Sequence, residues 1–179
     1  MHAAARRAEI LAAADLEFAN RGLAGARLEA IATRVGITHP RVVQMFGSKR
    51  SLFLEVVTAA YGKIEATFAG VERPTLISLG AAYRQLLHEE PSVGLVMLQS
   101  FAATADETIR EAVRSRHIDL QLSIAQLTGA DASQTRTFIA TGLVMTVSTV
   151  LELPNQRADA TWGAWILDLV AQPAEAERP

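Results

Sequence analysis

The stretch from Leu28 to Gly47 constrains the chain more than any other. Apolar residues fall at Ile31, Val35, Ile37, Val42 and Met45, with Ala32 and Gly36 between them. Two short helices that cross steeply need apolar contacts at those places and a small residue where they touch. They also need a turn residue that tolerates positive φ. Ala32 and Gly36 meet these last two demands. Thr38 is a natural N-cap for the second helix, and Pro40 suits its first turn, where no backbone donor is required. His39 precedes a proline and so resists helical geometry, which leaves the cap at Thr38 or His39.

The charge around this hairpin bears on what it does. Residues 1–50 hold eight Lys and Arg against four acids, a net +4, while the remaining residues carry −6 and the whole chain −2. A basic head on an acidic body suits a head that meets a polyanion. A hairpin that merely packs would explain its apolar positions but not their coincidence with this basic head.

The rest of the chain reads as helix, with no sustained alternation, no Asn-Gly or Asp-Gly hairpin and abundant alanine. Ile10, Leu11, Ala14 and Phe18 form a stripe that stops at Arg21-Gly22. Phe53, Val57, Ala60, Ile64 and Phe68 form a second, ending near Gly70 and Pro74. Leu76, Leu79, Tyr83 and Leu87 run up to Pro91. Ile109, Val113, Leu120, Ile124 and Leu127 run to Gly129, and Trp162, Trp165, Ile166, Leu169 and Val170 give a last stripe. Residues 92–104 and 132–153 are apolar on nearly all sides, the mark of helices covered all round. The expectation is an all-α chain of about nine helices. A three-helix, helix-turn-helix head spans residues 1–52, and a larger helical body spans 53–179.

Several function classes find no support. With no cysteine there are no disulfides, thiolate metal sites or cysteine nucleophiles. No apolar run approaches the roughly 18 residues of a membrane span, and no secretory core follows the N-terminus, so a cytoplasmic location without membrane contact is expected. There is no Gly-Lys phosphate loop, Gly-x-Ser-x-Gly elbow or His-Glu-x-x-His. The histidines at 2, 39, 88 and 117 are not spaced as metal ligands. Neither a cofactor nor a metal is expected, and an enzyme is the weaker alternative. A helical ligand-binding or scaffold protein without DNA binding is the other.

Four stretches carry a family resemblance. They are Arg7-Ala8-Glu9-Ile10-Leu11-Ala12-Ala13-Ala14, Phe18-Ala19-Asn20-Arg21-Gly22, Ile31-Ala32-Thr33-Arg34-Val35-Gly36-Ile37-Thr38 and Phe46-Gly47-Ser48-Lys49-Arg50-Ser51-Leu52. Over residues 6–57 the head resembles the DNA-binding domain of the tetracycline-repressor (TetR) family of bacterial regulators. The resemblance implies that the second hairpin helix enters the major groove. It also implies that the corner at Phe46–Lys49 sets a lysine on a phosphate, which the free amides of a helix start would reinforce. The DNA-binding set is then Arg27, Thr38, His39, Pro40, Arg41, Gln44 and Lys49. Pro40, Arg41 and Gln44 should point outward, with Val42, Val43 and Met45 inward or flanking. Pro40 can touch a thymine methyl and Gln44 can pair with adenine. Arg41 can fork onto guanine or hold a phosphate. Val43 stands where the family usually has tyrosine, Met45 where it has histidine, and Arg27 where it has a Ser or Thr cap.

In that family the later helices form a dimer interface and enclose a ligand. The small residues Ala140, Gly142, Thr146 and Ser148 would allow close helix approach, and Trp162 and Trp165 would add aromatic area. One head alone buries little DNA surface for firm specificity, which also favours a homodimer. Tyr83, Leu87, Met97, Phe101, His117, Phe138 and Met145 lie on apolar stripes and are the candidate contacts of a small-molecule effector. The sequence as a whole points to a regulator, most simply a repressor, on an inverted-repeat DNA operator.

Overall fold

Glycine and proline punctuate a run of eight α-helices in the computed structural model, which describes residues 2–153. They are α1 (His2–Gly25), α2 (Leu28–Arg34), α3 (His39–Phe46), α4 (Lys49–Ala69), α5 (Leu76–Glu89), α6 (Pro91–Ala102), α7 (Glu107–Thr128) and α8 (Ala132–Val150). Among the described residues there is no strand. The stripe at Trp162–Val170, the ninth helix of the sequence reading, lies outside them.

Each stop has a local cause. Gly22 leaves helical geometry inside α1 (φ 63°, ψ 179°), where the first stripe was expected to end. Pro91 opens α6, a position that needs no backbone donor. Gly129, with φ 70°, follows the last residue of α7. Two helices begin with reciprocal capping boxes, Thr75 with Ser78 on α5 and Asp131 with Gln134 on α8.

The chain divides into two compact units. One comprises Met1–Ile64 and Leu95–Ile118, the other Glu65–Gly94 and the chain from Asp119 onward. The first unit holds the head. Its core packs Ile10, Ala14 and Phe18 of α1 against Ile31 of α2, Val42 of α3 and Leu52, Phe53 and Tyr61 of α4, all fully buried. Phe18 and Phe53 meet edge to face, with ring centres 5.1 Å apart. The buried Glu17 accepts the Arg27 N–H at 3.2 Å and an ion pair from Arg21 at 3.4 Å. It thereby ties α1 to the residue that opens α2.

In the second unit α5 packs against α8, with glycines set opposite aromatic rings. A Cβ on Gly142 would lie 3.8 Å from the Tyr83 ring, and one on Gly80 would lie 3.7 Å from Phe138. Phe68 meets both Tyr83 and Phe138 edge to face. The Tyr83 hydroxyl shares a buried 2.7 Å hydrogen bond with Thr146 Oγ1, which also donates to the Gly142 carbonyl at 2.9 Å. One expectation about α8 changes, since Thr146 is buried and serves packing within this chain rather than standing ready for a partner. In the single chain the helix is partly open, with Leu143 47% exposed. By contrast α6 is well covered, with Val93, Val96, Met97 and Ser100 buried.

Candidate nucleic-acid interface

The turn between α2 and α3 is a Schellman motif. Gly36 takes φ 68°, its N–H reaches the Thr33 carbonyl at 3.2 Å, and the Ile37 N–H reaches Ala32 at 3.0 Å. Two terminal carbonyls of α2 are thus satisfied and the chain reverses sharply. Thr38 is then the N-cap of α3 by backbone geometry, which settles the choice between Thr38 and His39. Its hydroxyl makes no capping bond. Pro40 at the second helical position has no N–H to offer, and the Arg41 N–H already reaches the Thr38 carbonyl at 3.0 Å.

The faces of α3 divide as the sequence predicts. Val42 and Phe46 are buried, Val43 and Met45 half-buried, and Pro40, Arg41 and Gln44 exposed. Arg41 Nη1 donates to Gln44 Oε1 at 2.6 Å across one helical turn. His39 Nδ1 lies 3.4 Å from Glu29 Oε1 on α2. Arg27 is exposed and its side chain caps nothing, so α2 starts without the cap that a Ser or Thr would give.

After α3 the chain turns at Gly47 (φ 81°) into α4. Ser48 caps this helix, its hydroxyl accepting the Ser51 N–H at 3.0 Å and pairing with Ser51 Oγ at 2.8 Å. Lys49 turns back, donating to the carbonyls of Ala24 at 3.3 Å and Ala26 at 3.1 Å. The lysine thus closes the end of α1 onto the start of α4. Arg50, in the same first turn, pairs with Asp106 at 3.1 Å. Asp106 also caps α7 by accepting the Ile109 N–H at 3.2 Å. The Arg50 bond, helped by that backbone bond, holds its carboxyl below the usual carboxylate range.

Sequence reasoning missed three of these residues. Arg7 donates to the Met45 carbonyl at 3.0 Å and to both Glu55 oxygens, and its guanidinium lies over Phe46. It thereby fixes where α3 ends. Nothing in the spacing of residues 7, 46 and 55 announces this. Glu17, likewise, is one acid among several until the fold buries it. Ser48 was findable, because a serine just ahead of an apolar-periodic run is a helix-start signal.

The candidate effector residues fall in both units. Tyr83, Leu87, Phe138 and Met145 belong to the second, where Tyr83 and Leu87 are buried and Phe138 and Met145 half-buried. Burial raises the Tyr83 hydroxyl pKa, and the Thr146 bond opposes that in part. Met97, Phe101 and His117 belong to the first, where Met97 is buried and Phe101 and His117 meet edge to face at 6.0 Å. His117 is half-buried and its Nδ1 has no hydrogen-bond partner. Burial pushes its pKa below the ordinary histidine value.

A short hairpin of helices, a sharp glycine turn and a second helix with basic and amide groups outward make a helix-turn-helix, the arrangement of DNA-binding regulators. Residues 10–56, the head, match the family model described as "Bacterial regulatory proteins, tetR family". No curated protein matches the chain by sequence. Similar solved structures include a TetR-like transcriptional regulator from Rhodococcus sp. RHA1, 19% identical over 92% of this chain and 91% of that one, with a TM-score of 0.63. A tetR-family regulator from Streptomyces coelicolor is 20% identical over 92% of this chain and 77% of its own, with a TM-score of 0.58. The multidrug binding protein EbrR, complexed with proflavin, is 15% identical over 92% of this chain and 99% of its own, with a TM-score of 0.57. At these identities the likeness establishes a shared fold.

Proposed function

We propose that the chain is a homodimeric repressor that reads an inverted-repeat operator through α3 and releases it when a small, mostly apolar molecule binds the body. The observation that carries this reading is the outward face of α3, where Arg41 and Gln44 stand exposed on a helix held by the Gly36 turn. In functional terms residues 1–52 form the reading head and 53–179 the sensing and pairing body. Arg27, Thr38, His39 and Pro40 border the groove, and Lys49 meets a phosphate when DNA replaces the carbonyls of Ala24 and Ala26. The partly exposed α8, with Leu143 open, supports pairing with a second copy. The aromatic cluster at Phe68, Tyr83 and Phe138 supports an apolar effector site, as does the likeness to a protein complexed with proflavin. Among the described residues no helix is long and apolar enough to cross a membrane, which suits a cytoplasmic regulator.

Fluorescence anisotropy with sheared genomic DNA at two salt concentrations tests the reading. Binding that weakens steeply with salt is expected, because each neutralised phosphate releases counterions. Absent or salt-independent binding overturns it in favour of a scaffold. Sedimentation of the free protein at micromolar concentration should give the dimer.

A further inference from the structure

The geometry points to Arg41 and Gln44 acting as one preassembled, donor-only reading unit that selects guanine at two neighbouring operator positions. This deepens the proposed reading of DNA by α3 and rests on it. Read singly, Gln44 suits adenine, because an amide can accept from adenine N6 while donating to N7. That pairing needs the amide oxygen, and here Oε1 is occupied by Arg41 Nη1 at 2.6 Å. The oxygen retains a second lone pair, but a guanidinium charge stands beside it and repels an incoming amino group. What remains outward is the Gln44 amide N–H pair and the uncommitted N–H groups of Arg41. Both side chains are exposed, and α3 contains no carboxylate that could supply an acceptor in their place.

A donor-only surface seeks acceptors. In the major groove guanine offers two, N7 and O6, whereas thymine offers one beside its methyl group, adenine sets a donor beside its single acceptor and cytosine offers a donor alone. Residues three apart on a helix are separated by about 4.5 Å along its axis, close to the spacing of stacked base pairs. Arg41 and Gln44 therefore face adjacent pairs. The bond between them also fixes two flexible side chains before DNA arrives, which lowers the ordering cost of contact. Arg41 thus acts twice, as a reader and as the positioning residue for Gln44.

The experiment is selection from randomised duplexes by the full-length wild type, Arg41→Ala and Gln44→Ala, followed by titration of single-base changes in the enriched site. Both positions are exposed, so the variants should fold. The wild type should enrich guanine at two adjacent positions in each half-site, and Gln44→Ala should lose preference at one of them, marking it. Adenine at that marked position should weaken the wild type roughly 5–150-fold, the discrimination of a good bidentate contact. In Arg41→Ala the other position should lose its preference, and the marked position should switch from guanine to adenine, because Oε1 is released. Adenine at the marked position in the wild type overturns the inference, as does guanine retained there in Arg41→Ala or an unmoved preference in Gln44→Ala. A wild type that enriches no site overturns the reading of α3 itself, and this inference with it.

Discussion

Arg7 Nη2 donates to both carboxylate oxygens of Glu55 at 2.6 Å while its guanidinium carbon lies 4.2 Å from the centre of the Phe46 ring. One side chain from α1 therefore ties the end of α3 to the second turn of α4. The two charges are 41% and 36% exposed, so solvent screens the ion pair and the stacking and the Met45 bond matter at least as much. Arg7→Ala should lower stability by about 1–2 kcal/mol, read from the urea midpoint. Arg7→Lys should recover less than half of that, since a point charge neither forks nor stacks. Full recovery by lysine would mean that charge alone holds the corner.

Gly36→Ala isolates backbone strain. A Cβ there would meet nothing within 4 Å, so the cost is conformational and should come to about 1–2 kcal/mol. Gly36→Asn should cost less, because asparagine tolerates the left-handed region. Denaturant unfolding of the two variants separates strain from collision, and equal losses would argue against strain.

Lys49 holds two carbonyls in the free protein, and a phosphate is its proposed partner on DNA. Lys49→Ala should weaken binding evenly across sequences and lower the salt slope by about one. An unchanged slope with reduced thermal stability would assign the lysine to the corner alone.

His117 gives stability a pH dependence of definite sign. Its folded pKa lies below the ordinary value of 6.5 because burial disfavours the charged ring. In the window beneath 6.5 the unfolded chain therefore binds the proton that the folded chain refuses. Stability falls as pH drops through that window and is insensitive to this residue above it. His117→Asn should flatten the profile there, measured as unfolding midpoint against pH relative to wild type.

The Tyr83–Thr146 pair should behave non-additively. Tyr83→Phe leaves Thr146 bonded to the Gly142 carbonyl and should cost about 1 kcal/mol. Thr146→Val strands a buried phenol and should cost about 1–3 kcal/mol. The double variant should cost less than the two combined, which a double-mutant cycle in urea would show.

What could be read from the sequence was local. Gly36, Thr38 and Pro40 each meet a backbone demand within a few residues, so the hairpin and the exposed side of α3 follow from spacing alone. The helix ends at Gly22, Pro91 and Gly129 follow for the same reason. What escaped depends on distance along the chain. Arg7 meets Glu55 across 48 residues and Arg50 meets Asp106 across 56, and no periodicity encodes such meetings. The packing of Thr146 escaped for a different reason. Composition shows that the faces of α8 are apolar, but not that Gly142 and Thr146 are already taken up by Tyr83.

Gly22 has a consequence for genetics. Its backbone stands at φ 63°, and a Cβ there would lie 2.5 Å from Gln99 Oε1 on α6, whose amide reaches back to the Ala19 carbonyl at 3.5 Å. Torsion is the dominant fault of any replacement at position 22, because Gln99 Oε1 ends a flexible side chain and can swing aside. Trimming Gln99 relieves only the crowding, so shortening that side chain will not be a full suppressor of Gly22→Ala. A pair of residues that touch this closely would ordinarily be expected to drift together. Here position 99 is free to change under a fixed glycine, while position 22 is not free to change under any partner.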